Sequence, residues 1–101
     1  MEPDVKEYRA QIAAAFRELH GCESAYQNSV PVREVFQGKV AWEGVVSVYS
    51  LIGHPKAKTG YAWGYQEPDG RWEITTVLEI PPVVSPQTAV KAAIVAAAKR
   101  Q

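Results

Sequence analysis

His20 and Cys22 lie on either side of Gly21. A histidine can act as a general base and a cysteine as a nucleophile. A histidine next to a cysteine can activate the thiolate for covalent catalysis. Apolar spacing places this pair at the C-terminal end of a helix, however, where the negative end of the helix dipole disfavours a thiolate. We therefore predict a helix-end histidine and an inert cysteine rather than a catalytic pair.

The carboxylates give no stronger signal for catalysis. Glu43, Glu73 and Glu79 fall on predicted strand faces away from the predicted core, and nothing in the sequence brings two of them together for acid–base chemistry. The single cysteine excludes an intramolecular disulfide, and no cluster of histidines and carboxylates suggests a metal site. We predict no catalytic residue, no metal and no cofactor, and we favour a non-enzymatic protein. An enzyme or ligand binder with a pocket between helix and sheet is the open alternative.

Two lysines and a histidine share one polar loop, from Gly53 to Gly60, and suggest an anion-binding site. His54, Lys56 and Lys58, together with Lys91, form the candidate set for phosphate or nucleic acid. The alternative is a solvated loop tip whose lysines serve solubility. Eleven basic residues balance eleven acidic ones, whereas nucleic-acid-binding proteins usually carry a basic excess. The charge balance therefore disfavours nucleic acid as the main partner.

The composition is that of an ordinary globular protein. The chain has 101 residues, 47% of them hydrophobic and 22% charged, which suits one core and a single domain over residues 1–101. The first residues lack the basic start and apolar run of a signal peptide, and no apolar stretch approaches the roughly 20 residues of a membrane span. We predict a cytoplasmic protein without a membrane partner.

Two helices are needed to position the candidate residues. The first is predicted over residues 3–20, with Pro3 in its first turn and Gly21 at its end; its apolar stripe consists of Val5, Tyr8, Ile12, Phe16 and Leu19. The last begins after the cap Ser85 and ends in basic residues, among them Arg100. Its apolar face consists of Ala89, Val90, Ala93, Ile94 and Ala97.

Alternating side chains predict three strands, over residues 40–52, 60–67 and 71–80. Residues 30–36 can form a fourth, edge strand or a packed loop, since Pro31 cannot donate to a central ladder. The predicted fold is therefore α+β: a helix, a three-stranded antiparallel meander with this optional edge strand, and a C-terminal helix. We expect both helices on one sheet face.

The turn Glu67-Pro68-Asp69-Gly70 sets the register between the last two strands. Proline cannot adopt the positive φ of a two-residue hairpin turn, so the expected form is a three-residue loop with Gly70 in the left-handed conformation. The resulting pairs include Glu67 with Arg71, Tyr65 with Glu73, Gly64 with Ile74, Trp63 with Thr75 and Tyr61 with Val77.

This register puts Tyr61, Trp63 and Tyr65 together on the sheet face opposite the predicted core. The residues expected to join them are Tyr49, Val45 and Val77. Three or four large aromatic side chains exceed the apolar patch that a monomer normally exposes. The hypothesis is a homodimer interface or a ligand platform. The alternatives are a cover formed by residues 22–39 or by the first helix, and a register shifted by one residue.

The order of helix, three antiparallel strands and helix resembles the double-stranded-RNA-binding domain. The loop Gly53-His54-Pro55-Lys56-Ala57-Lys58 is similar to the Gly-Pro-x-His-type motif of that family. The last helix departs from the family, because it carries the single Lys91 where the family has a cluster of lysines that binds phosphates. The resemblance implies an alternative function, the binding of RNA or another anion by the 53–60 loop.

A second resemblance covers about half of the chain. The run Val40-Ala41-Trp42-Glu43-Gly44, the 53–58 loop and Ile80-Pro81-Pro82-Val83 resemble small uncharacterised bacterial proteins, which implies a bacterial source and no activity. The function that we predict is a small interaction module that forms a homodimer, or binds another partner, through an aromatic face. Its residues are Tyr49, Tyr61, Trp63, Tyr65 and Val77.

Overall fold

The computed structural model describes residues 5–99, which form two helices and one four-stranded antiparallel sheet. The elements are α1 Val5–His20, β1 Glu23–Phe36, β2 Lys39–Ile52, β3 Thr59–Gln66, β4 Trp72–Leu78 and α2 Pro86–Lys99. The strands lie in the sheet in the order in which they follow along the chain. The predicted α+β class and element order are confirmed. Pro3 and Arg100, which we assigned to helix ends, lie outside the described residues.

The helix ends follow local chemistry. Gly21 comes directly after α1 with a φ of 64°, and its N–H donates to the Arg17 carbonyl at 3.1 Å. At the start of α2, the Ser85 hydroxyl accepts from the Thr88 N–H at 3.2 Å, and the Thr88 hydroxyl accepts from the Ser85 N–H at 2.9 Å. Within the described residues, neither helix has the length and apolar character that crossing a membrane requires.

The segment with two open alternatives forms an edge strand, β1, which begins at Glu23 rather than at residue 30. Its Pro31 lies opposite Val45 of β2. The Leu51 N–H of β2 donates away from β1, to the Lys58 carbonyl at 2.8 Å. Backbone groups alternate in direction along a strand, so Val45 also directs its groups away from β1. Pro31 therefore lacks only an N–H that would face solvent, and the ladder loses no bond.

The register between β3 and β4 follows the turn, as predicted. Gly70 has a φ of 95°, and the Glu67 N–H donates to the Arg71 carbonyl at 2.7 Å. The observed pairs include Tyr65 with Glu73, Gly64 with Ile74, Trp63 with Thr75 and Tyr61 with Val77. A three-residue loop that ends in a left-handed glycine thus decides which residues of this hairpin share a face.

The two helices pack on opposite faces of the sheet, so the prediction that both share one face is wrong. Helix α1 buries Ile12 and Phe16 in a cluster with Ala62 of β3. Helix α2 instead buries Val90 in a cluster with Tyr61, the next residue along the same strand. The physical reason is complementary size. The small side of β3 accepts the large side chains of α1, and its bulky side accepts the small side chains of α2.

Gly60 allows the close approach of α1. A Cβ atom at this position would lie 2.7 Å from Phe16 Cε1 and 3.2 Å from Leu51 Cδ2. Phe16 is fully buried, so its ring has little room to move away.

We therefore predict that Gly60→Ala lowers the free energy of unfolding by about 1–3 kcal/mol, because the added methyl group overpacks the core. Urea unfolding measures the loss. The control is the same substitution in a Phe16→Leu background, where the shortened side chain should reduce the cost. An equal cost in both backgrounds would show that the Phe16 contact is not responsible.

Candidate functional site

Strands β2 and β3 pair over a short distance only. The ladder joins Ser47–Ser50 to Thr59–Ala62, although β2 continues along β1 to Lys39 and β3 continues along β4 to Gln66. Beyond Ser47 the two strands separate, and a cleft of about 410 Å³ opens between them. The sheet is thus divided at this end into two hairpin arms, with the cleft between them.

Two tryptophans, one from each arm, form an aromatic wall of the cleft. The rings of Trp42 in β2 and Trp63 in β3 meet edge to face, with centroids 5.5 Å apart and an interplanar angle of 60°. Tyr65, next on the same side of β3, is 61% exposed. Glu43 and Glu73 supply the carboxylates of the lining. The arrangement offers flat apolar surfaces beside negative charge.

Polar side chains on the α1 side of the sheet lie at the point where β2 and β3 separate. The Tyr8 hydroxyl faces the Gly64 backbone and the buried Ser47 side chain. Burial raises the pKa of Tyr8, and these two contacts oppose the rise. The Tyr8 ring packs against Trp72 with centroids 5.6 Å apart. Helix α1 therefore anchors the β3–β4 arm beside the cleft.

The predicted aromatic face is only partly present. Tyr61, Trp63 and Tyr65 share one side of β3 with Val77 of β4 opposite Tyr61, as the turn implied. Helix α2 covers this side at Tyr61 and Val77, whereas we had considered residues 22–39 or the first helix as the cover. Of the predicted residues, Trp63 and Tyr65 line the cleft.

Tyr49 and Val45 lie on the opposite face, so the expectation that they join the aromatic trio is wrong. Tyr49 pairs with Gly60, and its buried ring packs on Phe16 of α1 with centroids 5.5 Å apart. The error arose from the 53–60 loop, which carries no turn signature that relates β2 to β3. For the same reason the sequence analysis assigned no function to Trp42.

The two buried tyrosines differ in their hydroxyl groups. The Tyr61 hydroxyl donates to the Glu79 carboxylate, and burial, followed by this bond and the charge of Glu79, raises the pKa of Tyr61. The Tyr49 hydroxyl is buried and has no hydrogen-bond partner among the described residues. Burial above all raises its pKa to about 12, although the nearby Ser47 hydroxyl opposes the rise. A hydrogen bond therefore fixes the Tyr61 hydroxyl, whereas only packing holds the Tyr49 side chain in place.

His20 and Cys22, on either side of Gly21, both lie on the α1 side of the sheet, but each has its own surroundings. His20 Nε2 lies 2.8 Å from the Thr76 hydroxyl. Cys22 is buried, and burial, with a smaller effect of the charge on Glu23, raises the pKa of its thiol. A raised pKa disfavours the thiolate that nucleophilic catalysis requires.

The candidate anion-binding residues do not converge. His54 Nδ1 accepts hydrogen bonds from the backbone N–H groups of Lys56 at 3.0 Å and Ala57 at 2.9 Å, which organises the loop over the buried Ala57. Lys91 belongs to α2 on the other sheet face and lies 3.9 Å from Glu34. The structure thus separates Lys91 from the loop lysines.

In the described part of the chain, no group of three or more histidine, cysteine, aspartate or glutamate residues is arranged to hold a metal ion. No protein-family model, no curated protein and no solved structure matches this chain. The interpretation of the cleft therefore depends on its geometry.

The tyrosine pair generates one prediction. Tyr61→Phe should lower the free energy of unfolding by about 1–3 kcal/mol, since it leaves the Glu79 carboxylate without its donor. Tyr49→Phe is the matched control and should change stability by less than about 0.5 kcal/mol, since no bond is lost. Urea unfolding compares the two variants. A larger loss for Tyr49→Phe would contradict the assignment.

A second prediction concerns the pKa of His20 and the effect of His54 on it. Burial, and then the charge of His54, lowers the pKa of His20 below its ordinary 6.5. Folding therefore favours neutral His20, and this contribution to stability is full above pH 6.5 and is lost as the pH falls from 6.5 through the lowered pKa of the folded state. We expect His54→Gln to raise the pKa of His20 partway back, as measured by NMR titration of its ring proton. Lys58→Gln, a charge change in the same loop, is the control; an unaltered pKa in His54→Gln would refute the coupling.

Proposed function

We propose that this protein is a non-enzymatic binding module that holds its partner in the aromatic cleft between β2 and β3. The observation that carries the proposal is the opening where strand pairing stops, which is lined by Trp42, Trp63 and Tyr65. Tyr65 is exposed and both tryptophans are half-buried. Tryptophan and tyrosine often anchor interfaces, because they combine a large apolar area with a polar group.

A second copy of the chain is one partner that this surface suits. Self-association would cover Tyr65 and the accessible part of Trp63, which belong to the face that the sequence predicts as a dimer interface. Large aromatic side chains left open to water favour such a contact.

Binding of RNA or another anion by the 53–60 loop stays a prediction. The candidate residues of this prediction are now Lys56 and Lys58, which are exposed. Lys91 no longer belongs to the set, because it lies on the other face of the sheet. The zero net charge disfavours this alternative, because binding of nucleic acid depends largely on contacts between basic side chains and phosphates.

The binding proposal predicts a specific pattern in the three tryptophan indole N–H signals of an NMR spectrum. Small aromatic amines such as benzylamine should shift the signals of Trp42 and Trp63 in the cleft. Trp72, which stacks on Tyr8 at the α1 side, is the internal control and should not shift. Equal shifts of all three signals, or none at millimolar benzylamine, would refute a binding cleft.

Sedimentation equilibrium tests the second copy as partner. We expect the wild type to associate and Tyr65→Ser to weaken the association, since Tyr65 is an exposed anchor of the face. Ile52→Ser is the matched control, because Ile52 and Tyr65 are each 61% exposed and lie in different parts of the sheet. A monomeric wild type, or an equal effect of both substitutions, would remove self-association through this face and leave other partners of the cleft to the NMR experiment.

A further inference from the structure

The register of β2 and β3 reveals which backbone groups face the cleft. The ladder pairs Tyr49 with Gly60 and Ser47 with Ala62, and the Leu51 N–H donates to the Lys58 carbonyl. Every second residue of β2 therefore directs its N–H and C=O groups toward β3. Continued along β2, this alternation assigns the same direction to Val45 and Glu43. Their main-chain groups are aimed into the cleft, and β3 forms no ladder pair with them in the described structure.

The facing edge of β3 is less available. Continued pairing would place Gly64 opposite Val45 and Gln66 opposite Glu43. The Tyr8 hydroxyl faces the Gly64 backbone, so Gly64 is less available than Val45 to an added strand. A cleft occupant that forms backbone hydrogen bonds therefore meets its open partners on β2.

The charge of the lining indicates the side chains of the occupant. Glu43 and Glu73 are the charged residues of the lining, and neither is buried. Arg33 approaches Glu43 at 3.8 Å, but both side chains are more than 60% exposed, so water screens this pair. The two tryptophan rings attract cations as well, since a ring face carries negative potential.

We infer that the cleft binds an extended peptide with basic side chains, which pairs in the manner of a β-strand with the edge of β2 at Glu43 and Val45. The inference rests on the proposed function and specifies the partner. A free strand edge accepts an added strand through main-chain hydrogen bonds, and neighbouring pockets select the side chains. Here Trp42, Trp63 and Glu73 lie on one sheet face, where the two rings contact the apolar stems of the peptide's basic side chains and Glu73 faces their cationic ends. Glu43 lies on the other face and adds negative charge to the cleft.

Synthetic peptides test the inference on the intact protein. The probe is acetyl-Lys-Val-Lys-Val-Lys-amide, and the readouts are the Val45 amide signal and the Trp42 and Trp63 indole signals. Only alternate N–H groups of a paired strand face the neighbouring strand. N-methylation of one alternate set of peptide amides should therefore weaken binding by about tenfold or more, whereas methylation of the other set should change it by less than about twofold.

Charge variants complete the experiment. The corresponding peptide with glutamate in place of lysine should not bind, and Glu73→Gln should weaken binding of the lysine peptide several-fold. Glu18→Gln, which removes an exposed carboxylate of α1, is the control and should have no effect.

The outcomes separate the inference from the proposed function. Equal binding of both methylated peptides would overturn strand pairing, and equal binding of the glutamate peptide would overturn the basic partner. If benzylamine shifts the cleft signals but the lysine peptide does not, the inference fails and the binding module stands. If neither ligand shifts them, both fail.

Discussion

The packing of Phe16 against Gly60 is the contact on which the rest of the structure depends. Phe16 is fully buried, and a side chain at position 60 would overlap its ring. The contact places α1 on the small-residue side of β3 and leaves the aromatic side to α2. Gly60 also pairs with Tyr49 in the short β2–β3 ladder. Helix packing and strand pairing therefore stabilise the same central segment, where the two hairpins of the sheet are joined.

Away from this segment each hairpin is stabilised by its own contacts. The β1–β2 arm keeps its own ladder, and so does the β3–β4 arm. Each sheet face has its own apolar cluster and its own helix. The cleft between the arms can therefore stay open without exposing either core. Trp42 and Trp63 contact each other across the division, which leaves large aromatic surfaces beside an unpaired strand edge, a combination suited to binding.

The two hairpin registers show why part of this arrangement was predictable. Pro68 and Gly70 restrict the β3–β4 loop to one geometry, so the faces of Tyr61, Trp63 and Tyr65 followed from local chemistry. The 53–60 loop imposes no comparable restriction. A shift of one residue exchanges the two faces of a strand, which is why Tyr49 was assigned to the wrong face. For the same reason the sequence alone did not identify Trp42 as part of the cleft.

The sequence by itself determined the α+β class, both helices with the caps Gly21 and Ser85, the strands β2, β3 and β4, and the common face of Tyr61, Trp63 and Tyr65. These features depend on backbone preferences and on side-chain periods within short segments. The tertiary structure alone decided which face each helix covers, how β2 pairs with β3, and where that pairing stops. Those outcomes depend on the fit of side chains far apart in sequence, as between Phe16 and Gly60. No local pattern records such a fit, because it depends on the volumes of both partners at once.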